Sequence, residues 1–252
     1  MQRMQTDQKL KKEIIEIGYR MWLRGFIAAN DGNISALTAG GKIITTPTGV
    51  SKGFMQPEML LLVNREGLPV RKNNPYRISS EFKMHLEVYN QRKDVMAVVH
   101  AHPPYCTAFS VAGIALDHCV LPEAVVSLGA IPVAEYATPS TEEIPLSIRP
   151  HIQNSDVILL QNHGLLCVGK SLQDAYFKLE TAEHSAKIMY LSMNLGNVQT
   201  LNEEQVDKLM QLRSGYGMSG KITSCKTGLG TEQVIRETIE EIKKPPAGGS
   251  DK

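Results

Sequence analysis

Apolar residues recur at helical spacing near the start of the chain. Leu10, Ile14, Ile17 and Met21 fall close to a 3.6-residue period, which predicts an amphipathic helix over residues 5–29. The turn-forming cluster Asn30-Asp31-Gly32-Asn33 breaks it. Two short strands are expected over 34–38 and 42–45, joined by Ala39-Gly40-Gly41, and Pro47-Thr48-Gly49 makes a further loop. A short apolar run covers 59–64, with Glu66-Gly67 as its turn. Ser79-Ser80 precedes a helix over 81–91, where a serine hydroxyl can accept an otherwise unpaired backbone N–H. Val95-Met96-Ala97-Val98-Val99 lies in the best candidate for a buried strand, 94–100, which Pro103-Pro104 ends. Helices follow over 105–112 and 121–128, and strands over 130–134 and 156–161. Asn162-His163-Gly164 turns the chain into a return strand over 165–168. A long helix over 171–195 and a last one over 203–213 complete the pattern. Strands and helices alternate with hairpin-like pairs, without repeat or linker, so the reading is one α/β domain with a mixed sheet. It spans 1–242. The polar, Pro- and Gly-containing tail over 243–252 is expected to be flexible.

Composition narrows the possible functions. The chain has 252 residues and a formal net charge of +1, so it lacks the basic bias that favours nucleic acid or an anionic membrane. No stretch approaches the roughly 20 apolar residues needed to span a bilayer, and the N-terminus lacks the apolar core of a signal peptide. The expected compartment is the cytoplasm. The four cysteines, Cys106, Cys119, Cys167 and Cys225, form no C-x-x-C pair, and reduced thiols are expected.

The candidate chemistry sits at element ends. His100 and His102 close the best strand candidate, and residues i and i+2 of a strand point to one face. His163 follows another buried strand, and Gly164 lets the backbone turn beside it. Three histidines with an open fourth position suit a catalytic zinc, although an H-x-H pair also occurs in cores and turns. Glu81 opens a helix, where the helix dipole favours a carboxylate by roughly 0.3–1 kcal/mol. That is the ordinary reading; the functional one makes it a general base, or a fourth ligand that leaves when substrate arrives. Composition and spacing do not choose between these. Gly32, Asn33, Thr48, Gly49, Ser79 and Ser80 lie in loops whose small polar groups suit a phosphate. There is neither a Walker A sequence nor a G-x-G-x-x-G. His85, one turn after Glu81, reads as a packed or surface residue. His118, His151 and His184 carry no partner pattern.

Taken in order, these segments resemble the class II aldolase/adducin family. The matching runs are Gly32-Asn33-Ile34-Ser35, Thr46-Pro47-Thr48-Gly49, Ser79-Ser80-Glu81, Val98-Val99-His100-Ala101-His102, Tyr136-Ala137-Thr138 and Asn162-His163-Gly164. The resemblance implies a mixed, mostly antiparallel sheet layered by helices. It implies His100, His102 and His163 as ligands of Zn2+, with Mn2+ or Co2+ as alternatives, and Glu81 as the acid/base carboxylate that can also hold the resting metal. It implies Gly32, Asn33, Thr48, Gly49, Ser79 and Ser80 as the phosphate site. The implied substrate is a ketose 1-phosphate, L-fuculose 1-phosphate or another deoxyketose phosphate, cleaved through an enediolate to dihydroxyacetone phosphate and an aldehyde. A homotetramer with interfacial active sites is the implied assembly.

Two departures from the aldolase pattern fall on the aldehyde side. A tyrosine that assists there is replaced by the stretch Val120-Leu121-Pro122-Glu123, and Thr138-Pro139-Ser140 stands where an aromatic is expected. Glu123 either supplies another acid/base group or begins a helix. Relatives within the family also include epimerases, dehydratases, decarboxylases and non-catalytic adducin-like interaction modules.

Overall fold

The structure is a computed structural model, and it describes residues 7–71, 73–196, 198–213, 215–217, 220–228, 236–238 and 240. Strands β1 (Asn33–Leu37), β2 (Ile43–Thr45), β3 (Leu61–Val63), β4 (Ala97–Ala101), β5 (Val133–Ala134), β6 (Val157–Leu160) and β7 (Gly164–Gly169) form one sheet in the order β3-β2-β1-β4-β7-β6-β5. Every neighbouring pair is antiparallel except β5 and β6. Helices α1 (Asp7–Leu23), α2 (Phe82–Gln91), α3 (Pro104–Ala112), α4 (Pro122–Ser127), α5 (Glu143–Ile152), α6 (Leu172–Leu195) and α7 (Glu203–Arg213) surround it.

Side chains alternate across a strand, so each strand feeds two cores. Ile34, Ala36, Val99, Ala101, Leu165 and Cys167 face the layer made by α1, α3 and α6. Ile43, Val98, Ile158, Leu166 and Val168 face α2 and α5. With both faces covered, the central strands read as unbroken apolar runs, which is why their positions are visible in the sequence.

The antiparallel ladder also gathers the chemistry. His100 pairs with Asn33 and with Leu166, and Ala101 pairs with Leu165. The C-terminal end of β4 therefore meets the N-terminal ends of β1 and β7. Asn33, His100, His102 and His163 come to one edge from positions up to 130 residues apart.

Several expectations need correction. The first helix ends at Leu23, not 29, because the chain closes there in a Schellman turn. Gly25 N–H donates to the Trp22 carbonyl and Phe26 N–H to that of Met21, with Gly25 at φ 69°. Helix α5 was not expected. Pro145 and Pro150 obscure it, yet Ile144, Ile148 and Ile152 bury a stripe at i, i+4 spacing. The strand expected over 130–134 is only Val133–Ala134, since Ala130 and Ile131 instead form bridges with Thr223 and Leu116. The cysteines are not all reduced. Cys119 and Cys225 form a disulfide across 106 positions, a separation that no spacing motif reports, while Cys106 and Cys167 are free and buried. The 243–252 tail lies outside the described residues. No described helix is long and apolar enough to cross a membrane.

Candidate active site

The three histidines converge. Their ligand atoms lie within 4.8 Å of one another. His100 is fully buried, and its Nδ1–H donates to the Leu165 carbonyl at 3.0 Å. A carbonyl only accepts, so the Nε2 of a neutral His100 carries the lone pair. That Nε2 stands 3.1 Å from Nε2 of His102. Burial holds His100 well below its ordinary pKa and lowers His102 as well, so both rings are neutral near pH 7. Ligand nitrogens around a tetrahedral zinc are separated by about 3.3 Å, as follows from bonds of about 2.0–2.1 Å. The spacing and protonation of these rings fit a divalent cation. Asp31 Oδ2 lies 3.5 Å from His102 Nδ1, where a carboxylate would orient the ring.

Glu81 is not a capping residue. It occupies the N-cap position of α2, yet its side chain makes no cap bond, and Ser79 Oγ accepts the Glu81 N–H instead at 3.3 Å. The carboxylate turns inward. Oε1 is 2.8 Å from His163 Nε2, Oε2 is 3.7 Å from His100 Nε2, and Asn33 Nδ2 donates to Oε2 at 2.8 Å. Burial pushes the Glu81 carboxyl up, but the surrounding imidazoles and the contact with His163 outweigh it and hold it well below the carboxylate range. The site thus holds an ionised base at neutral pH. Asn33 Oδ1 is buried and has no hydrogen-bond partner among the described residues, which leaves it for a bound molecule.

Three loops meet beside this centre. Ile34 N–H donates to Thr46 Oγ1, and Thr46 N–H returns to the Ile34 carbonyl. Thr48 N–H donates to the Arg77 carbonyl, and Pro47 bridges Ile78. These bonds draw together the loops carrying Gly32 and Asn33, Thr48 and Gly49, and Ser79 and Ser80. Gly32 sits at φ 69°, and a Cβ there would lie 2.9 Å from the His100 carbonyl and 2.7 Å from Ile27, so backbone and space both require glycine. Ser140 Oγ donates to Ser80 Oγ at 2.6 Å, which places the 138–140 stretch against the Ser79-Ser80 loop.

Glu123 is not brought to the histidines within one chain. It lies exposed in the first turn of α4 and lines a surface hollow with Lys170, Phe177 and Thr181. Leu121 belongs to a separate, mostly apolar hollow with Leu116, His118, Val125, Ile131 and Met189. His85 is fully buried beneath the site. Ser35 Oγ bonds its Nδ1 at 2.7 Å and Tyr89 Oη at 2.9 Å, and burial lowers its pKa to about 3. It lies outside the cluster of candidate ligands.

The chain as a whole has relatives among known proteins. Residues 12–190 match the model of the class II aldolase and adducin N-terminal domain. The chain belongs to the class II aldolase and adducin family. Over 183 residues it is 36% identical to an L-fuculose phosphate aldolase of Methanococcus vannielii, covering 73% of this chain and 97% of that protein. It is 30% identical over 190 residues to a 3-oxo-tetronate 4-phosphate decarboxylase of Escherichia coli, covering 74% and 88%. The solved L-fuculose-1-phosphate aldolase of Thermus thermophilus superposes with a TM-score of 0.66 at 31% identity, covering 75% of this chain and 96% of that one. The family match ends at residue 190, so α7 and the strand-like segment carrying Cys225 lie beyond it.

Two residues at the site escaped the sequence reading. Asp31 was read only as part of a turn. Lys52, three residues after Gly49, carried no motif, yet it is a lysine 2% exposed beside these loops. An isolated lysine in a sequence gives no sign of burial; only its place between two loop signals could have singled it out.

Proposed function

We propose that this chain is a zinc-dependent sugar-phosphate aldolase that cleaves a ketose 1-phosphate to dihydroxyacetone phosphate and an aldehyde. The observation that carries the reading is the ionised Glu81 carboxylate held against three convergent histidines, with Asn33 bonded to it. His100, His102 and His163 would hold the zinc. When bound, it supplies Lewis-acid charge to the substrate oxygens as the carbon–carbon bond breaks. Gly32, Asn33, Thr48, Gly49, Ser79 and Ser80 seat the phosphate and so fix the three-carbon half of the sugar. In cleavage Glu81 passes to the hydroxymethyl carbon of dihydroxyacetone phosphate the proton that the substrate hydroxyl gives up as it becomes the aldehyde oxygen, and in synthesis it removes that proton. Asn33 orients that carboxylate.

The decarboxylase relative supports a second reading at the same site. Loss of carbon dioxide from a 3-oxo-tetronate 4-phosphate breaks a bond one carbon from the ketone and, after protonation, also leaves dihydroxyacetone phosphate. The two reactions share the donor half and differ in the fragment that departs. Coupled detection of dihydroxyacetone phosphate, with parallel measurement of aldehyde and of carbon dioxide, separates them. For either reaction, Glu81→Gln should keep its metal content and lose at least about a hundredfold in turnover. Wild-type turnover in that variant would remove Glu81 from the mechanism.

The proposal includes a homotetramer. Its support is the partly exposed aromatic group Tyr19, Trp22 and Phe54, with Trp22 and Phe54 rings 5.1 Å apart. Sedimentation velocity tests it. The cytoplasm is the proposed compartment, which requires that reducing the Cys119–Cys225 disulfide leave activity intact.

A further inference from the structure

Lys52 opens the short 3-10 turn Lys52–Phe54. Its Nζ donates to the Asn30 carbonyl at 2.6 Å and to the Val50 carbonyl at 3.0 Å. Those carbonyls belong to the loops that lead into Gly32-Asn33 and out of Thr48-Gly49. An ammonium has three N–H donors, and two are accounted for. Lys52 forms no ion pair with any carboxylate among the described residues. Asp31 and Glu81 are near enough to favour its charged form, but both are engaged. Asp31 faces His102, and Glu81 is held by His163 and Asn33. Burial outweighs their influence and lowers the Lys52 pKa to about 8, so the side chain is still mostly charged at pH 7.

Neutral carbonyls do not balance a buried cation, and buried charges are ordinarily paired. A staple between two carbonyls needs only a neutral donor, so the charge calls for another explanation. The six residues assigned above to the phosphate are all uncharged. A phosphate dianion among them has a strong need for a cation, and a lysine with a free donor stands at the junction of two of their loops.

We propose that Lys52 is the cation of the phosphate site: its third N–H donates to the phosphate of the substrate, and it makes the site select phosphorylated over neutral sugars. This rests on the phosphate-binding reading given above and adds to it the residue that supplies the charge. Lys52 is a substrate-binding residue in this scheme, with no part in proton transfer.

Inorganic phosphate is the probe. Its affinity is measured by calorimetry on the full chain, with metal content matched between variants. The wild type should bind, and Thr48→Ala should weaken binding. Lys52→Met and Lys52→Gln should weaken it by about tenfold to a hundredfold, the range for a lost charge-assisted hydrogen bond. Undiminished binding in folded Lys52 variants overturns the proposal while leaving the phosphate site in place. Absence of binding in the wild type overturns the phosphate reading itself and this proposal with it. Should both neutral variants fail to fold, the wild type decides the matter through the side-chain resonances of nitrogen-15-labelled lysine. A protected ammonium, absent from the Lys52→Arg spectrum, should shift with the calorimetric midpoint as phosphate is added. If it does not move, Lys52 is only a staple.

Discussion

Gly164→Ala tests whether close approach of two strands places the three histidines of the proposed metal site. Gly164 starts β7 opposite the end of β4. A Cβ built there would lie 2.5 Å from the Ala101 carbonyl oxygen and 2.6 Å from His102 Cδ2. Comfortable packing distances are roughly 3.5–4.0 Å, so the atoms must separate by about 1 Å. Neither neighbour is free to yield. Ala101 pairs with Leu165 in the ladder, and His102 N–H donates to the Phe26 carbonyl at 3.0 Å. Overpacking of this kind costs about 1–3 kcal/mol. The His102 ring takes part of the displacement, and ligand bonds tolerate deviations of only about 0.2 Å. A loss of about tenfold to a hundredfold in zinc affinity is expected. Urea denaturation gives the stability change, and zinc titration against a competing chelator gives the affinity. Gly41→Ala is the control. Unlike Gly164, Gly41 has a positive φ, 74°, and a Cβ there meets nothing within 4 Å. It should cost about 1–2 kcal/mol from the left-handed backbone alone and leave zinc affinity unchanged. If Gly164→Ala binds zinc like the wild type, the contact between Gly164 and His102 does not set the site.

Other parts of the molecule carry their own tests. Arg92 is buried and donates to Asp94, Asp156 and the Ile152 carbonyl, so Arg92→Met should cost about 3–5 kcal/mol by urea denaturation; a loss under about 1 kcal/mol contradicts this. The Arg92 guanidinium holds Asp94 below the ordinary carboxylate range. A depressed folded pKa adds stability that is present above the unfolded value near 3.9 and disappears as pH falls through the folded one. Asp94→Asn should therefore lower stability at pH 6 and flatten its acid dependence below about pH 4, measured by unfolding midpoints. Without reductant, the unfolded chain should titrate two thiols, those of Cys106 and Cys167, and reduction should raise this to four. By the chain-entropy estimate for a loop near 100 residues, the Cys119–Cys225 link contributes about 4–5 kcal/mol, so Cys119→Ser should lower the midpoint measured without reductant.

Local chemistry made much of this protein legible before its structure. The apolar runs around 97–101, 157–160 and 164–169 became central strands because both faces of the sheet are covered. The turn clusters at 30–33, 47–49 and 162–164 carry their own backbone preferences, and Gly32, Gly49 and Asn162 all adopt positive φ. Helix α5 was hidden because proline penalties are read locally, while the burial of Ile144, Ile148 and Ile152 is a tertiary gain.

What the sequence determined by itself was the set of elements, and the candidate groups at their ends. What only the tertiary structure decided was which of those groups meet. Glu81 had two roles that spacing did not separate, the helix-start one being the ordinary reading. The antiparallel pairing of β1, β4 and β7, with α2 laid across one face, turns its carboxylate toward His163 and Asn33. Glu123 began with comparable promise and lies in a different hollow. The Cys119–Cys225 link and the buried charge of Lys52 likewise depend on segments that become neighbours only in the folded chain. Spacing along a chain specifies faces and turns, whereas charge balance and ligand geometry are properties of a place in space, and that place exists only after the sheet has paired.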